Sequence, residues 1–505
     1  MNQLARMGLA ALAGGAAVFG MAPFNLWPVL LLALGVFAWL IDDAVGTARP
    51  IRRAAWTGWA FGFAYFAGGF YWIGEAFYVD PSTIWMMPFA VTLLPAGMAL
   101  YYALAGGVAA AFGRRGAAGA LILTAAFATV EFVRGFLFTG FPWNLFGSAF
   151  IDAPIAQGAA LIGVYGLTFA AMLAGFSLAP LVTARGPARA VPFAAGLVLL
   201  GGLFGYGMTR ANPDVTGASV RLRVVQPDNP QSEKAQRDYM RRLWQRLTGL
   251  TFGAGADKID VFIWPEGVIG FLDETPEALT AIGEAMAPGQ FLLAGSARRE
   301  LTDDGGTRYF NALLAIDGEG RVEAVYDKAH LVPFGEYLPF PEAFRMLDIA
   351  SLTARIGGAF TAGPGLRTLE LPGVPAFGAL ICYEALFPHD VVAVGPRPRW
   401  LVNVTDDSWF GTQTGPHQHL TAARFRAIEE GLPVIRAATT GISAVIDAEG
   451  TIVSATELQT ATALDADLPA AYADTLFARF GHWSLALLIL ISLVSGLVLP
   501  GQRAK

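Results

Sequence analysis

Residues 375–388, PAFGALICYEALFP, combine a continuous apolar run with an abrupt polar end. A short apolar run bounded by turn-forming residues predicts a buried β-strand, and this strand ends at Cys382. Cys382 is the single cysteine among the 505 residues, which excludes an intramolecular disulfide and a metal site built from several cysteines. The thiol is therefore either a small buried hydrophobe, the commoner role at a strand end, or a nucleophile.

Two more polar side chains follow strand-like runs. Glu266 comes after residues 261–265 (VFIWP), and Lys328 comes shortly after residues 322–326 (VEAVY). Sites in layered α/β domains collect at the carboxyl ends of strands. A carboxylate can deprotonate a thiol, and an ammonium group can stabilise the oxyanion of a tetrahedral intermediate. Taken singly, Glu266 fits a solvated turn and Lys328 fits a surface, and spacing alone does not bring the three together.

The sequence around these residues alternates between two patterns. Apolar or β-branched runs predict strands at 219–226, 260–264, 290–296, 309–316, 321–326, 375–382, 400–405, 432–438 and 442–447. Helical spacing of apolar residues appears in 233–251, 275–287 and 416–430. This alternation predicts one layered α/β domain.

Charge divides the chain into two kinds of sequence. Of the 272 residues in 209–480, 57 are charged, against 17 of the remaining 233. Residues 209–480 carry a net charge of −11 and resemble a water-soluble domain. The remaining residues carry a net charge of +5 and resemble a membrane protein. A net charge of −6 without a basic tract gives no support to nucleic-acid binding.

Eight apolar stretches approach or exceed the roughly 20 residues that span a bilayer. They cover 7–22, 26–41, 54–78, 85–112, 117–138, 154–181, 191–208 and 482–500. The sequence therefore predicts an eight-helix transmembrane bundle with three parts: helices one to seven in 1–208, a catalytic domain in 209–480, and helix eight with a tail in 481–505. Residues 209–217 read as a polar linker.

Positive charges fall on one side of these predicted helices. The flanks and loops of that side hold Arg6, Arg49, Arg52, Arg53, Arg114, Arg115, Arg185, Arg189, Arg503 and Lys505, and the alternate short loops hold no Lys or Arg. Because Lys and Arg favour cytoplasmic loops, both termini are predicted to be cytoplasmic. The 209–480 domain then lies outside, in the periplasm of a bacterium.

Three charges fall near the outer ends of predicted spans. Glu131 and Arg134 are three residues apart, which puts them on one helical face, and Glu75 lies near the end of the third span. They are either an interfacial ion pair with a snorkelling acid or part of a lipid-headgroup site.

The segments FIWPEG (262–267), YDKAHLVPFGEYLP (326–339) and GALICYEALFP (378–388) resemble, in this order, the Glu, Lys and Cys signatures of the nitrilase superfamily. The eight predicted spans, with this domain before the last one, and the segment NVTDDSWFG (403–411) extend the resemblance. The whole chain resembles one membrane-embedded branch, the apolipoprotein N-acyltransferases. The resemblance implies a nitrilase-like αββα sandwich. It also implies that Glu266 is the general base, Lys328 the oxyanion stabiliser and Cys382 the nucleophile. Supporting or substrate-binding roles are implied for Glu336, Tyr383, Glu384 and Trp409.

The implied reaction is the last step of bacterial lipoprotein maturation, in the inner membrane. Cys382 would take an acyl chain from a phospholipid, for which the family uses phosphatidylethanolamine, and form a thioester. The N-terminal α-amine of a diacylglyceryl-cysteine on an apolipoprotein would then accept the acyl chain. No cofactor is implied.

Two other classes of function remain open. The triad alone would also serve a membrane-tethered amidase or nitrilase acting on a small soluble amide. A transporter or sensor is disfavoured because the predicted spans lack a run of polar residues. His417 and His419 lack further ligands for a metal, and the sequence carries no Walker or Rossmann motif that would bind a nucleotide.

The segment after Lys328 is unusually apolar for a loop with several Pro and Gly. Its apolar members are Leu331, Val332, Phe334, Tyr337, Leu338, Phe340, Phe344, Met346 and Leu347. Such a segment is either a core loop or a mobile lid that admits acyl chains.

Overall fold

The computed structural model describes residues 1–78, 81–210, 220–233, 236, 238–339, 342, 360–499 and 502–503. The chain forms two compact units. The first comprises Met1–Asn212, Gln413–Glu430 and Asp474–Lys505, and the second comprises Pro213–Thr412 and Gly431–Ala473. Most of the predicted linker 209–217 lies outside the described residues.

The first unit is helical. Its α-helices are α1 (Gln3–Ala17), α2 (Trp27–Val45), α3 (Pro50–Gly69), α4 (Met87–Ala111), α5 (Gly116–Arg134), α6 (Ala159–Phe176), α7 (Leu178–Thr183), α8 (Val191–Thr209), α11 (Gly415–Glu430), α12 (Leu476–Phe480) and α13 (Trp483–Val498). A short antiparallel pair joins β1 (Arg114–Arg115) to β14 (Gln502–Arg503). Glycine allows α3 and α4 to approach closely, since a Cβ on Gly58 would lie 2.2 Å from the carbonyl oxygen of Tyr102.

Within the described residues, five helical stretches are long and apolar enough to cross a membrane by length and composition. These are Trp27–Val45, Thr83–Ala111, Gly116–Arg134, Pro154–Thr183 and Pro187–Thr209. They correspond to five of the eight predicted spans. The other three predicted spans overlap α1, α3 and the shorter apolar helix α13.

The charged pair on α5 is buried inside this unit. Glu131 and Arg134 are at most 1% exposed. The guanidinium donates to both carboxylate oxygens, at 2.9 and 2.8 Å, and also to the carbonyl oxygens of Phe141 and Trp143. With its hydrogen bonds satisfied, the pair can remain buried at tolerable cost, and we assign it to the packing of the helices.

Helix α11 packs inside the first unit although its sequence lies between sheet-forming segments. The Gln418 side-chain oxygen accepts hydrogen bonds from the indole N–H groups of Trp72 and Trp143, at 3.2 and 2.8 Å. The carboxylate of Glu429 accepts the N–H of Val164 at 2.7 Å, next to Gly163, where the backbone of α6 leaves helical geometry. These contacts supply acceptors of the kind that buried backbone and indole N–H groups need.

The second unit contains two six-stranded sheets. Its strands are β2 (Arg221–Gln226), β3 (Val261–Gly270), β4 (Phe291–Leu301), β5 (Thr307–Asp317), β6 (Val322–Asp327), β7 (Thr368–Leu371), β8 (Val374–Ile381), β9 (Trp400–Thr405), β10 (Val434–Ala438), β11 (Ala444–Ile446), β12 (Ile452–Ala455) and β13 (Thr462–Asp467). One sheet has the order β13-β2-β3-β4-β5-β6, and the other has the order β12-β11-β10-β9-β8-β7. The pairs β2–β3, β3–β4, β8–β9 and β9–β10 are parallel.

Strand β3 shows why these runs are apolar throughout. Val261 and Ile263 belong to the core shared by both sheets, whereas Phe262 and Trp264 belong to the cluster formed with α9 (Tyr239–Thr251) and α10 (Pro276–Ala285). Both faces of the strand are therefore buried, as expected for a central parallel strand. The predicted αββα sandwich has two sheets between two helical layers. The described part of this unit contains both sheets and one helical layer.

Candidate active site

Glu266 lies where β3 departs from regular pairing. The register with β4 shifts between Trp264 and Ile269, and Gly267 adopts a φ of 61°, which glycine tolerates without strain. The irregularity leaves the Glu266 side chain inside the protein, with the residue 8% exposed. A bulge of this kind re-aims a side chain at a site.

The carboxylate of Glu266 is held by three donors. Its Oε1 accepts hydrogen bonds from Asn311 Nδ2 at 2.7 Å and from Lys328 Nζ at 3.4 Å. Its Oε2 accepts the backbone N–H of Asp406 at 2.7 Å. Burial nevertheless raises the pKa of Glu266, and the nearby Glu336 and Asp406 raise it further, while Lys328 opposes them. A raised pKa makes a carboxyl group a stronger proton acceptor.

Lys328 follows β6 and is 1% exposed. Its Nζ lies 2.8 Å from Glu336 Oε1, which also accepts a hydrogen bond from Asn311. Burial alone would lower the pKa of Lys328, but the carboxylates of Glu266 and Glu336 outweigh burial and raise the pKa. The ammonium group therefore keeps its charge inside the protein, as an oxyanion partner must.

Cys382 begins the tight turn Cys382–Leu386 directly after β8. Its φ of 49° lies in the left-handed region, a strain that non-glycine residues adopt mainly at functional sites. Burial raises the pKa of the Cys382 thiol, the charge of Glu266 adds to this effect, and Lys328 opposes it. The resting group is thus a thiol, and a base must remove its proton during attack.

Glu384 ties the cysteine turn to the lysine segment. Its Oε2 accepts the N–H of Ile381 at 2.7 Å. Its Oε1 accepts the hydroxyl of Tyr326 at 2.8 Å and the N–H groups of Ala329 and His330 at 2.7 and 3.0 Å. Burial raises the pKa of Glu384 to about 7, against the effect of these donors. The carboxylate thus fixes Lys328 relative to Cys382.

The two predicted aromatic residues lie in different surroundings. Tyr383 is 6% exposed, and its ring lies 5.5 Å from that of His330 and 5.1 Å from that of Phe387. Trp409, in the short helix Asp407–Trp409, is 40% exposed. Tyr383 therefore belongs to the packing beneath the turn, whereas Trp409 remains accessible to a ligand.

Comparison with known proteins extends over almost the entire chain. The family described as apolipoprotein N-acyltransferase N-terminal domain matches residues 13–177, and the carbon-nitrogen hydrolase family matches residues 221–476. The apolipoprotein N-acyltransferase of Rhodopseudomonas palustris is 41% identical, covering 98% of this chain and 95% of the relative. That of Brucella melitensis is 39% identical, covering 99% of this chain and 97% of the relative.

The chain belongs to the apolipoprotein N-acyltransferase family.

Solved structures that match this acyltransferase are more distant. An amidase from Nesterenkonia is 18% identical with a TM-score of 0.37, covering 55% of this chain and all of that one. The NitFhit protein of C. elegans is 20% identical with a TM-score of 0.35, covering 50% of this chain and 61% of that one.

The apolar segment after Lys328 is only partly described in the acyltransferase. A turn closes where the N–H of Phe334 donates to the carbonyl oxygen of Tyr337 at 2.8 Å, and the carboxylate of Glu336 accepts the N–H of Val332 at 2.8 Å. The Phe334 side chain is 58% exposed at this turn. Phe340, Phe344, Met346 and Leu347 lie outside the described residues, so the lid stays a prediction.

Sequence reasoning missed several groups of the site. Asn311 bonds both Glu266 and Glu336, and its amide within an otherwise apolar strand was the signal that could have revealed it. Asp406 contacts Glu266 through its backbone N–H, which no side-chain pattern indicates. Thr405 and Asp407 both affect the pKa of the Cys382 thiol, and nothing in the NVTDDSWFG segment that contains them indicates this connection.

Proposed function

We propose that the chain transfers an acyl group from a membrane phospholipid, through a thioester on Cys382, to the N-terminal α-amine of a diacylglyceryl-cysteine on an apolipoprotein. The observation that carries the proposal is the burial of Glu266, Lys328 and Cys382 in one domain, with Lys328 Nζ 3.4 Å from Glu266 Oε1. Membership of the family supports the identity of the substrates. We propose phosphatidylethanolamine as the donor of the acyl chain.

In the first half-reaction, the Cys382 sulfur attacks the ester carbonyl carbon while the carboxylate of Glu266 takes the thiol proton. The Lys328 ammonium stabilises the negative oxygen of the tetrahedral intermediate. The intermediate collapses to the thioester, and the departing lysophospholipid oxygen receives the proton from Glu266. The carboxylate is thereby restored.

In the second half-reaction, the neutral α-amine attacks the thioester carbonyl carbon. Glu266 takes the proton that the nitrogen loses, and the carbon–sulfur bond breaks to leave an amide and the Cys382 thiolate. The thiolate recovers a proton from Glu266. One base thus moves a proton in both directions.

We further propose the membrane layout that the sequence predicts. Eight helices span the bacterial inner membrane, seven in 1–208 and one in 481–505, with both termini cytoplasmic and the 209–480 catalytic domain periplasmic. The five long apolar helices and the one-sided distribution of Lys and Arg support this layout.

The deciding experiment uses purified protein mixed with phospholipid alone. We expect the intact mass to increase by one acyl chain, located on the peptide that contains Cys382. Hydroxylamine or a diacylglyceryl peptide should remove the chain, and steady-state kinetics should be ping-pong with parallel double-reciprocal lines. Absence of the adduct together with intersecting lines would favour direct transfer. Ammonia release from soluble amides, without any lipid adduct, would favour an amidase.

Triad variants test the assigned roles. Cys382→Ala should abolish adduct formation and turnover in a folded protein, because Ala fills nearly the same space. Glu266→Gln and Lys328→Met should each reduce turnover by about 10²-fold or more, the usual contribution of such groups. Normal turnover in any one variant would remove that residue from the mechanism.

A further inference from the structure

A buried polar cluster is formed by residues of β9, of β10 and of the short helix Asp407–Trp409. Thr405, Asp407, Asn403 and Arg436 are each 0% exposed. The Arg436 guanidinium bonds the side-chain oxygen of Asn403 and lies 2.6 Å from Asp407 Oδ2. An ion pair that lies this deep is costly unless its hydrogen bonds are satisfied, so its position beside the site calls for an explanation.

The parallel register of β8 and β9 brings the end of β9, where Thr405 lies, next to Cys382. Ile381, the last residue of β8, pairs with Val404. Cys382 follows Ile381 and Thr405 follows Val404, so the two residues come directly after the same pair. The amide of Asn403 donates to the carbonyl oxygen of Leu380 at 3.2 Å, which ties the two strands together two residues before the nucleophile. A side-chain hydrogen bond joins Thr405 and Cys382, and its effect is to lower the pKa of the thiol.

The single proton of the Thr405 hydroxyl has two competing acceptors. In the structure the hydroxyl donates to Asp407 Oδ1 at 2.8 Å, which leaves its oxygen lone pairs to accept the S–H of Cys382. Once Glu266 has taken the thiol proton, the sulfur can only accept, and the hydroxyl must turn to donate to it. Arg436 still neutralises Asp407 after the hydroxyl has turned away, which keeps the cost of turning low.

We propose that Thr405, oriented by the Asp407–Arg436 pair, is a hydroxyl switch for the nucleophile: it accepts from the resting Cys382 thiol and donates to the sulfur after deprotonation. Asp407 and Arg436 are positioning residues, because they act through Thr405. The proposal rests on the proposed role of Cys382 and extends the Glu–Lys–Cys set by one group. Glu266, Lys328 and Asp407 are the charged groups that act on the same thiol, and all three are unchanged in the variants below.

The test compares Thr405→Ser with Thr405→Ala in the full-length protein. Both variants lose the threonine methyl group, and they differ only by the hydroxyl oxygen. Because Cys382 is the only cysteine, alkylation by iodoacetamide, followed by intact mass, reports this thiol alone and requires no acyl transfer. Rates are measured over a range of pH, alongside single-turnover acylation by phospholipid.

We expect Thr405→Ser to follow the wild-type alkylation profile. Thr405→Ala should displace the profile to higher pH by about one unit and slow acylation about tenfold, the effect of losing one hydrogen bond to the charged form. Equal profiles for the two variants would overturn the proposal, as would a displaced profile in Thr405→Ser. Failure of the proposed function has a different signature, since turnover would then survive in Cys382→Ala whatever Thr405 does to alkylation.

Thermal unfolding separates the switch from a purely structural role. If Thr405→Ala lowers the melting temperature while its alkylation profile matches that of Thr405→Ser, the hydroxyl only supports packing and the proposal is wrong. Thr405→Val supplies a second test that restores the side-chain volume. It should show the displaced profile of Thr405→Ala, and a wild-type profile would again contradict the switch.

Discussion

Glu336 adds a second negative charge beside the base, since Lys328 Nζ lies 2.8 Å from its Oε1 and 3.4 Å from Glu266 Oε1. The proposed base, Glu266, must be ionised to take the thiol proton, so we expect its pKa to set the acidic limb of the pH–rate profile. Because that pKa is raised, we expect the limb to lie above the ordinary carboxyl range of about 4.3.

Glu336→Gln should move this acidic limb to lower pH. The substitution removes a charge that raises the pKa of Glu266 and leaves Lys328 paired with Glu266 alone, and both changes favour the ionised base. The measurement is the pH dependence of acyl-enzyme formation. Glu323→Gln, which changes a surface carboxylate paired with Arg321, is the matched control and should leave the limb in place. An upward shift in Glu336→Gln would contradict this account.

Glu384 should matter for stability because its carboxylate accepts four hydrogen bonds. Glutamine offers one oxygen and one N–H₂ group, so in Glu384→Gln a donor must face another donor. We expect the free energy of unfolding to fall by about 1–3 kcal/mol, the cost of an unsatisfied buried group, seen as a lower melting temperature. Glu370→Gln on the exposed face of β7 should change the melting temperature little. Equal melting temperatures for the two variants would show that the carboxylate does not hold the turn.

At the scale of elements, the position of the base depends on a glycine in the neighbouring strand. A Cβ on Gly295 in β4 would lie 2.3 Å from the carbonyl oxygen of Pro265 and 2.6 Å from the Cα of Glu266. The irregular part of β3 could not keep its place beside any larger residue.

Gly295→Ala should therefore reduce acyl transfer by about 10²-fold, because a displacement near 1 Å at a catalytic group has that effect. The matched control is Gly270→Ala at the end of β3, where a Cβ would meet nothing within 4 Å. Single-turnover acylation is the measurement. Full activity in Gly295→Ala would show that the bulge does not position Glu266.

The same strands show what sequence could and could not predict. Central strands such as β9 (Trp400–Thr405) match the predicted residues, because burial on both faces leaves a continuous apolar signal. Strands β7, β12 and β13 were not predicted, since their alternating exposure and residues such as Asp465 and Asp467 give no such signal. Strand β3 was predicted as residues 260–264, where the apolar run ends, but the irregular part carries the strand on to Gly270.

The residues of the site likewise fall into those that local sequence predicts and those that it does not. The signature segments predicted Glu266, Lys328 and Cys382 as site residues from local sequence alone. The residues that bond Glu266 are distant in sequence: Asn311 is 45 residues away and Asp406 is 140 residues away. Such contacts depend on strand order and register, which the local pattern does not contain.

For the whole molecule, the proposed topology can be tested with two reporters. A reporter fused after Lys505 should be cytoplasmic, and one inserted near Asp303 should lie outside, because Lys and Arg are confined to one side of the predicted spans. Asp303 is exposed, in the turn between β4 and β5, so an insertion there should be tolerated. Opposite labelling at either point would overturn the assignment.

The composition of the first unit also constrains how the protein is made. The ribosome delivers α1–α8 first, then the whole of Pro213–Thr412, and only afterwards α11 and the segment Asp474–Lys505. Gln418 accepts the indole N–H groups of Trp72 and Trp143, and Glu429 accepts the N–H of Val164. These hydrogen bonds cannot form until residue 429 has emerged. The helical unit therefore cannot mature in the order of synthesis. Its completion is a late event of biogenesis, and a nascent chain released before α11 is translated leaves an unfinished bundle.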